Sequence, residues 1–175
     1  MRRRTVGLLL LLGALFVVAY LFVAWGRSES HRIAVRIGSP TGGRVEKTDQ
    51  EWAASLSPDS FRVTRQQGTE RAFSGAYWNT KDDGTYLCVC CGQPLFDAAA
   101  KFDSGTGWPS FTSPVDDDAV SLFEDRGMLG NRTEVVCSRC DAHLGHVFSD
   151  GPRPTGLRYC MNSVALTFQP RGGGP

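Results

Sequence analysis

The chain has 175 residues, 41% of them apolar and 21% charged, with a formal net charge of +1. That is room for one globular domain plus accessories, with enough apolar residues to fill a core. The near-zero charge argues against nucleic acid as a partner, because neutralising phosphates requires a basic surface.

The N-terminus reads as a separate object. Arg2, Arg3 and Arg4 precede an uncharged run from Thr5 to Trp25. As a helix that run measures roughly 32 Å, against about 30 Å for a bilayer core. Residues 1–26 are therefore expected to form a transmembrane signal-anchor. The arginines would stay cytoplasmic and the rest of the chain would lie outside the cytoplasm, on a periplasmic or extracellular face. Ala24-Trp25-Gly26 also fits a small-x-small cleavage rule, which leaves removal of the segment as an alternative. Residues 27–45 lack a sustained period and read as a linker, with His31 as a solvated residue. The working domain spans 46–170, and 171–175 form a tail.

Thr48 and Glu51 have the spacing of a capping box, and Trp52 and Leu56 would then share one helical face. Ser57-Pro58 marks a second helix start, and Gly68 is expected to close that helix. Beyond Phe73, short apolar and aromatic runs alternate with clusters such as "KDDG", "DSGTG", "PVDDD" and "SDGPRPTG". This is a β-rich domain of short strands and loops.

Six cysteines fall into two classes. Cys88/Cys91 and Cys137/Cys140 are C-x-x-C pairs with the spacing of zinc knuckles, and four thiolates complete a structural tetrahedral site. The 45 residues between the pairs exceed ordinary zinc-ribbon spacing, so the metal would clip two distant segments together. Two disulfides or a redox pair are the other readings of the same spacing. Cys90 lies inside the first knuckle, as a spare thiol or as a redox partner for Cys160.

Cys160 stands alone in "LRYCMNSVALTF". If that run is a strand, Arg158, Cys160 and Asn162 share one face. A nearby guanidinium favours the nucleophilic thiolate, and an amide can hold an oxygen atom. The turn-rich "SDGPRPTG" would fold this strand back beside His143 and His146, an arrangement of nucleophile with acid/base. The plain alternatives are a buried small hydrophobe for Cys160 and core or ligand roles for the histidines. The loop "KFDSGTGWPSF" carries Phe102, Trp108 and Phe111; its tryptophan is either a lid on the core or one wall of an apolar pocket.

The runs "YLCVCCGQPLF", "KFDSGTGWPSF", "RTEVVCSRCDAHLGHVFSDGP" and "GLRYCMNSVAL", with "KTDQEWAASLSPDSFRVTRQQGTERAFSGAYW" before them, resemble methionine sulfoxide reductases of the B type. The resemblance runs from Lys47 to Phe168. It implies a mainly β fold of two antiparallel sheets, barrel-like and zinc-clipped, with short N-terminal helices. It also implies one structural Zn2+ on Cys88, Cys91, Cys137 and Cys140. The activity it implies is reduction of the R epimer of methionine sulfoxide, free or in peptides, as protein repair under oxidative stress. Cys160 matches the family's nucleophile, which becomes a sulfenic acid. His146 and His143 match its histidine pair, with His146 helping to protonate the departing oxygen. Asn162 and Asp150 would order the polar side, Arg158 would favour the thiolate, and Trp108 and Phe111 would contact substrate. Many members carry a resolving cysteine where this chain has Thr106. Recycling is then expected to use an external, extracytoplasmic thioredoxin-like dithiol, or else Cys90. A monomer held to a membrane by its N-terminal helix completes the expectation. The rival classes are a non-catalytic zinc-stapled binding module and a disulfide-bonded ectodomain.

Overall fold

A computed structural model describes residues 34–35, 43–127 and 130–172. The chain divides at Arg32/Ile33 into two units, and the described residues all belong to the second. Helix α1 (Asp49–Ser55) begins with the capping box of Thr48 and Glu51 and buries Trp52. Helix α2 (Pro58–Gln66) starts from Ser57, whose hydroxyl accepts from the backbone of Ser60, with proline in the first turn. Its end differs from the expectation. Gln67, not Gly68, takes the left-handed conformation at φ 56°, and the Gly68 amide then closes on the Arg62 carbonyl at 3.0 Å.

Among the described residues, ten strands form two antiparallel sheets. They are β1 (Ala34–Val35), β2 (Gly84–Cys88), β3 (Pro94–Asp97), β4 (Lys101–Phe102), β5 (Ser110–Phe111), β6 (Val120–Gly127), β7 (Gly130–Cys137), β8 (His143–Phe148), β9 (Arg158–Met161) and β10 (Leu166–Pro170). The larger sheet runs β1-β6-β7-β8-β9-β5-β4 and the smaller β10-β2-β3. The two-sheet expectation holds, but its barrel-like part is corrected. Among the described residues the outer strands β1 and β4 do not pair with each other, and the two residues described for each offer too little edge for closure. The strand β1 falls within the segment read as linker and pairs with β6 through Ala34–Phe123 and Val35–Leu122.

The core lies between the sheets. Phe96 of β3 stacks on Phe111 of β5 with ring centroids 4.5 Å apart, and Tyr86 of β2 meets Phe111 edge-on at 5.1 Å. Each such pair adds about 0.5–1.5 kcal/mol beyond the area it buries. These contacts join the small sheet to the far side of the large one and fix where β5, and the loop before it, can lie.

The expected membrane anchor is corrected as well. Among the described residues no helix is long and apolar enough to cross a membrane, and the 5–25 run on which the anchor rested lies outside them. Apolar length is a necessary condition for spanning and not a sufficient one. The placement outside the cytoplasm and the membrane as a partner depended on the anchor, and neither is supported by the described residues.

Candidate active site

The two C-x-x-C segments fold into matching turns. In the first, the Cys88 amide donates to the Gln93 carbonyl and the Gly92 amide to that of Cys88. In the second, the Cys137 amide donates to Ala142 and the Asp141 amide to Cys137. Gly92 and Asp141, at the same place in each turn, both have positive φ. One knuckle extends β2 and the other β7, so the four sulfurs meet where the two sheets meet. All four lie within 4.8 Å of one another. Cys88 and Cys140 are 3.7 Å apart and Cys91 and Cys137 3.6 Å. A zinc tetrahedron with bonds of about 2.3 Å has edges of roughly 3.8 Å, so the donor set fits a structural Zn2+. None of the six cysteines is in a disulfide, which removes the disulfide-bonded alternative.

The second centre is assembled across the large sheet. His146 of β8 pairs directly with Cys160 of β9, Glu134 of β7 lies opposite His146, and Ser110 of β5 lies opposite Cys160. Directly opposed residues of antiparallel strands point to the same face, with Cβ atoms about 4.5–5.5 Å apart. Gly145 permits the close approach: a Cβ there would sit 2.1 Å from the Cys160 carbonyl oxygen. Cys160, His146, Asn162 and Trp108 line a cleft of about 130 Å³ together with Thr69, Arg132, Gly145, Phe148 and Met161.

Both histidines are held by carboxylates. His143 is buried, with Nδ1 2.7 Å from Glu134 Oε1. His146 Nε2 lies 3.0 Å from Asp125 Oδ2, and the same oxygen accepts from the Arg132 guanidinium at 2.7 Å. Burial lowers the His146 pKa below the ordinary imidazole value, with the Asp125 contact opposing it.

Asn162 departs from simple strand alternation, because β9 ends before it and a short 3-10 turn begins. Its amide donates to the Leu144 carbonyl at 3.0 Å, and its Oδ1 accepts from the Glu70 amide at 2.9 Å. Arg158 makes a two-pronged pair with Asp150, both contacts 2.9 Å, and lies over the Phe148 ring at 4.5 Å. Its charge draws the Cys160 thiol towards ionisation, but desolvation is stronger and the thiol pKa stands above the ordinary cysteine value. The activation read from sequence therefore has the right sign and is outweighed by burial, which alternation along a strand cannot reveal.

Trp108 donates its indole N–H to the Glu70 carbonyl at 3.2 Å. The loop that carries it is tied by the Phe73 amide to the Gly107 carbonyl, where φ is +87°. Phe111 is placed elsewhere. It is 0% exposed in the core and does not border the cleft. The Thr106 hydroxyl lies 3.9 Å from the Cys160 sulfur, and Ser104 links it to Ser110 through contacts of 2.8 Å each. Cys90 is partly buried among Cys88, Cys140, Thr64 and Arg65, none of which borders the cleft.

Sequence reasoning missed Glu70, Asp125, Arg132 and Glu134. Glu70 ties the site together: its carboxylate accepts from the Ser163 and Val164 amides at 2.8 and 3.0 Å, while its own backbone holds Asn162 and Trp108. No local pattern in "GTERAF" announces this. Asp125 and Arg132 had a usable signal, as opposite charges facing each other across the β6–β7 ladder.

The comparisons agree with this architecture. The model of the SelR domain matches residues 56–170, which include both knuckles, both histidines and Cys160. Among curated proteins, the chain is 58% identical over 129 residues to the peptide methionine sulfoxide reductase MsrB of Acinetobacter baylyi, covering 73% of this chain and 91% of that one. It is 60% identical over 129 residues to the MsrB of Acinetobacter baumannii, with the same coverage. Against the MsrB of Pseudomonas fluorescens it is 59% identical over 130 residues, covering 73% and 98%. With the family model matched over more than half its length, and relatives this similar along nearly their whole length, the chain belongs to the SelR family of B-type methionine sulfoxide reductases.

Proposed function

We propose that Cys160 is the nucleophile of a thiol-dependent peptide-methionine (R)-S-oxide reductase, with His146 as its proton carrier. The observation that carries the assignment is the direct pairing of His146 with Cys160 across β8 and β9, in a cleft walled by Trp108, Phe148 and Met161. The Cys160 sulfur attacks the sulfoxide sulfur. The thiol proton passes through His146 to the sulfoxide oxygen, and that oxygen ends on Cys160 as sulfenic acid while methionine leaves. Cysteine sulfur is oxidised, sulfoxide sulfur is reduced, and no proton is consumed in this half.

Trp108 gives the methyl group an apolar wall, and Asn162, fixed at both ends of its amide, shapes the polar side. Asp150 acts on Cys160 through Arg158, whose guanidinium it orients. His143, held by Glu134, backs His146 at 5.4 Å between ring centroids. A Zn2+ held by Cys88, Cys91, Cys137 and Cys140 would supply structural cross-linking between the sheets. An external thioredoxin-like dithiol reduces the sulfenic acid, forming its own disulfide and releasing water. That route is favoured because Thr106 occupies the position next to the nucleophile and cannot form a disulfide. Assay of separate R and S epimers with dithiothreitol should show turnover of R alone, lost in Cys160→Ser while the metal is retained. Equal turnover of S, or an active Cys160→Ser protein, refutes the assignment.

A further inference from the structure

His146 is gripped by Asp125, which lies outside the runs that carry the resemblance, and through it by Arg132, the first residue of "RTEVVCSRCDAHLGHVFSDGP". Asp125 on β6 and Arg132 on β7 face each other directly in the ladder. They share the face that carries Glu134, His146 and Cys160, since residues two apart on a strand lie on one side. Asp125 Oδ2 accepts from Arg132 and lies 3.0 Å from His146 Nε2, and Arg132 itself borders the cleft.

We propose that Asp125 and Arg132 are positioning residues for the proton transfer: they hold His146 by Nε2, so that Nδ1 is the atom that exchanges a proton with Cys160 and the sulfoxide oxygen. A carboxylate only accepts hydrogen bonds, so an ionised Asp125 requires the proton on Nε2 in the resting imidazole. Desolvation pushes the Asp125 carboxyl up, but the contacts from His146 and Arg132 outweigh it and keep the group below its ordinary pKa. Nδ1 is then the vacant basic atom. The logic is that of an acid/base histidine oriented by an anion, here with a guanidinium fixing the anion.

The inference rests on the reading of Cys160 and His146 given above. In the reactive state that pair holds one proton, so its titration belongs to the pair. The other groups facing the pair are Glu134 on β7, His143 on the same strand and Arg158 on β9. On the packed helix α2 and the loop after it, Arg65 is turned to the Cys140 carbonyl and Glu70 to the Ser163 and Val164 amides. Of all these, Asp125 is the carboxylate in contact with His146 Nε2. Replacing it with asparagine removes an influence that raises the His146 pKa. The rising acid limb of the rate then moves to lower pH, and the plateau falls because the imidazolium–thiolate form is rarer.

The test is single-turnover methionine formation from the R epimer as a function of pH, with nitrogen NMR of His146 in the full chain. Wild type should show Nε2 protonated and Nδ1 bare at neutral pH. Asp125→Asn should lower the plateau about ten- to hundred-fold with substrate affinity little changed, and the same change in a His146→Gln background should cost nothing further. A proton on Nδ1 in wild type overturns the proposal. So does an undiminished plateau in Asp125→Asn, or an equal loss in the His146→Gln background. Wild type inactive on both epimers overturns the functional reading and this inference together, whereas active wild type with an unchanged Asp125→Asn overturns the inference alone.

Discussion

The metal cluster and the cleft are both made of short motifs, but they are built in opposite ways. Each knuckle is a turn whose shape is set by hydrogen bonds within six residues, from Cys88 to Gln93 and from Cys137 to Ala142, with the Val89 and Ser138 amides reaching out to Ala165 and Ala119. Folding has only to bring two finished halves together. The cleft has no finished part. Its residues come from β8, β9, the loop before β5, the β6–β7 hairpin and the segment after α2, and each is set by strand register or by a long-range bond to Glu70. Damage to the cluster should therefore be global, whereas damage to the cleft should be separable from the fold.

The largest expected effect comes from opening the cluster. Cys137→Ser should lose the metal and destabilise the domain by about 5 kcal/mol or more, since metal binding free energy is folding free energy. Metal content and thermal melting measure this; a metal-free protein melting like wild type would remove the structural role. Next is Glu70→Ala, which deletes a buried acceptor of two amides and should cost about 3 kcal/mol. Turnover should fall with it while one zinc per chain remains. Loss of zinc in that variant would show that cleft and cluster are one cooperative unit.

Trp108→Phe keeps an apolar wall and removes the bond to the Glu70 carbonyl, worth about 1 kcal/mol. KM for the sulfoxide should rise several-fold with melting nearly unchanged. A loss confined to kcat would place Trp108 in the chemistry and not in binding. The mildest change concerns pH. The half-buried Cys160 thiol has a raised pKa, so its alkylation in the resting enzyme should increase with pH up to values above the ordinary cysteine range. Arg158 opposes that rise, and Arg158→Leu should push the alkylation profile to still higher pH. A profile centred below that of free cysteine, or one that moves down in Arg158→Leu, would reverse the assigned balance of burial and charge.

The same contrast explains how legible each part was. The capping box at Thr48–Glu51 and the start of α2 at Ser57-Pro58 involve neighbours in sequence and were readable. Phe111 was expected to contact substrate on the strength of the resemblance. Its place in the core is set by stacking on Phe96 from the other sheet, which no local pattern records. The barrel-like shape required knowing that β1 and β4 fail to meet. The membrane anchor was inferred from apolar length alone, and no helix among the described residues supports it.

Cysteine spacing was enough to name the metal ligands, because the geometry of a knuckle lies within one turn of chain. The order Arg158, Cys160, Asn162 was enough to nominate Cys160 as the nucleophile proposed above, because a lone thiol beside a cation is chemically conspicuous. Only the folded sheet could set His146 opposite Cys160, bring Asp125 and Arg132 to that histidine and turn Glu70 into the tie between Asn162 and Trp108. Those contacts depend on register and on residues tens of positions apart. The balance at the thiol depends on them too, since desolvation is a property of the packed molecule and not of its neighbours in sequence.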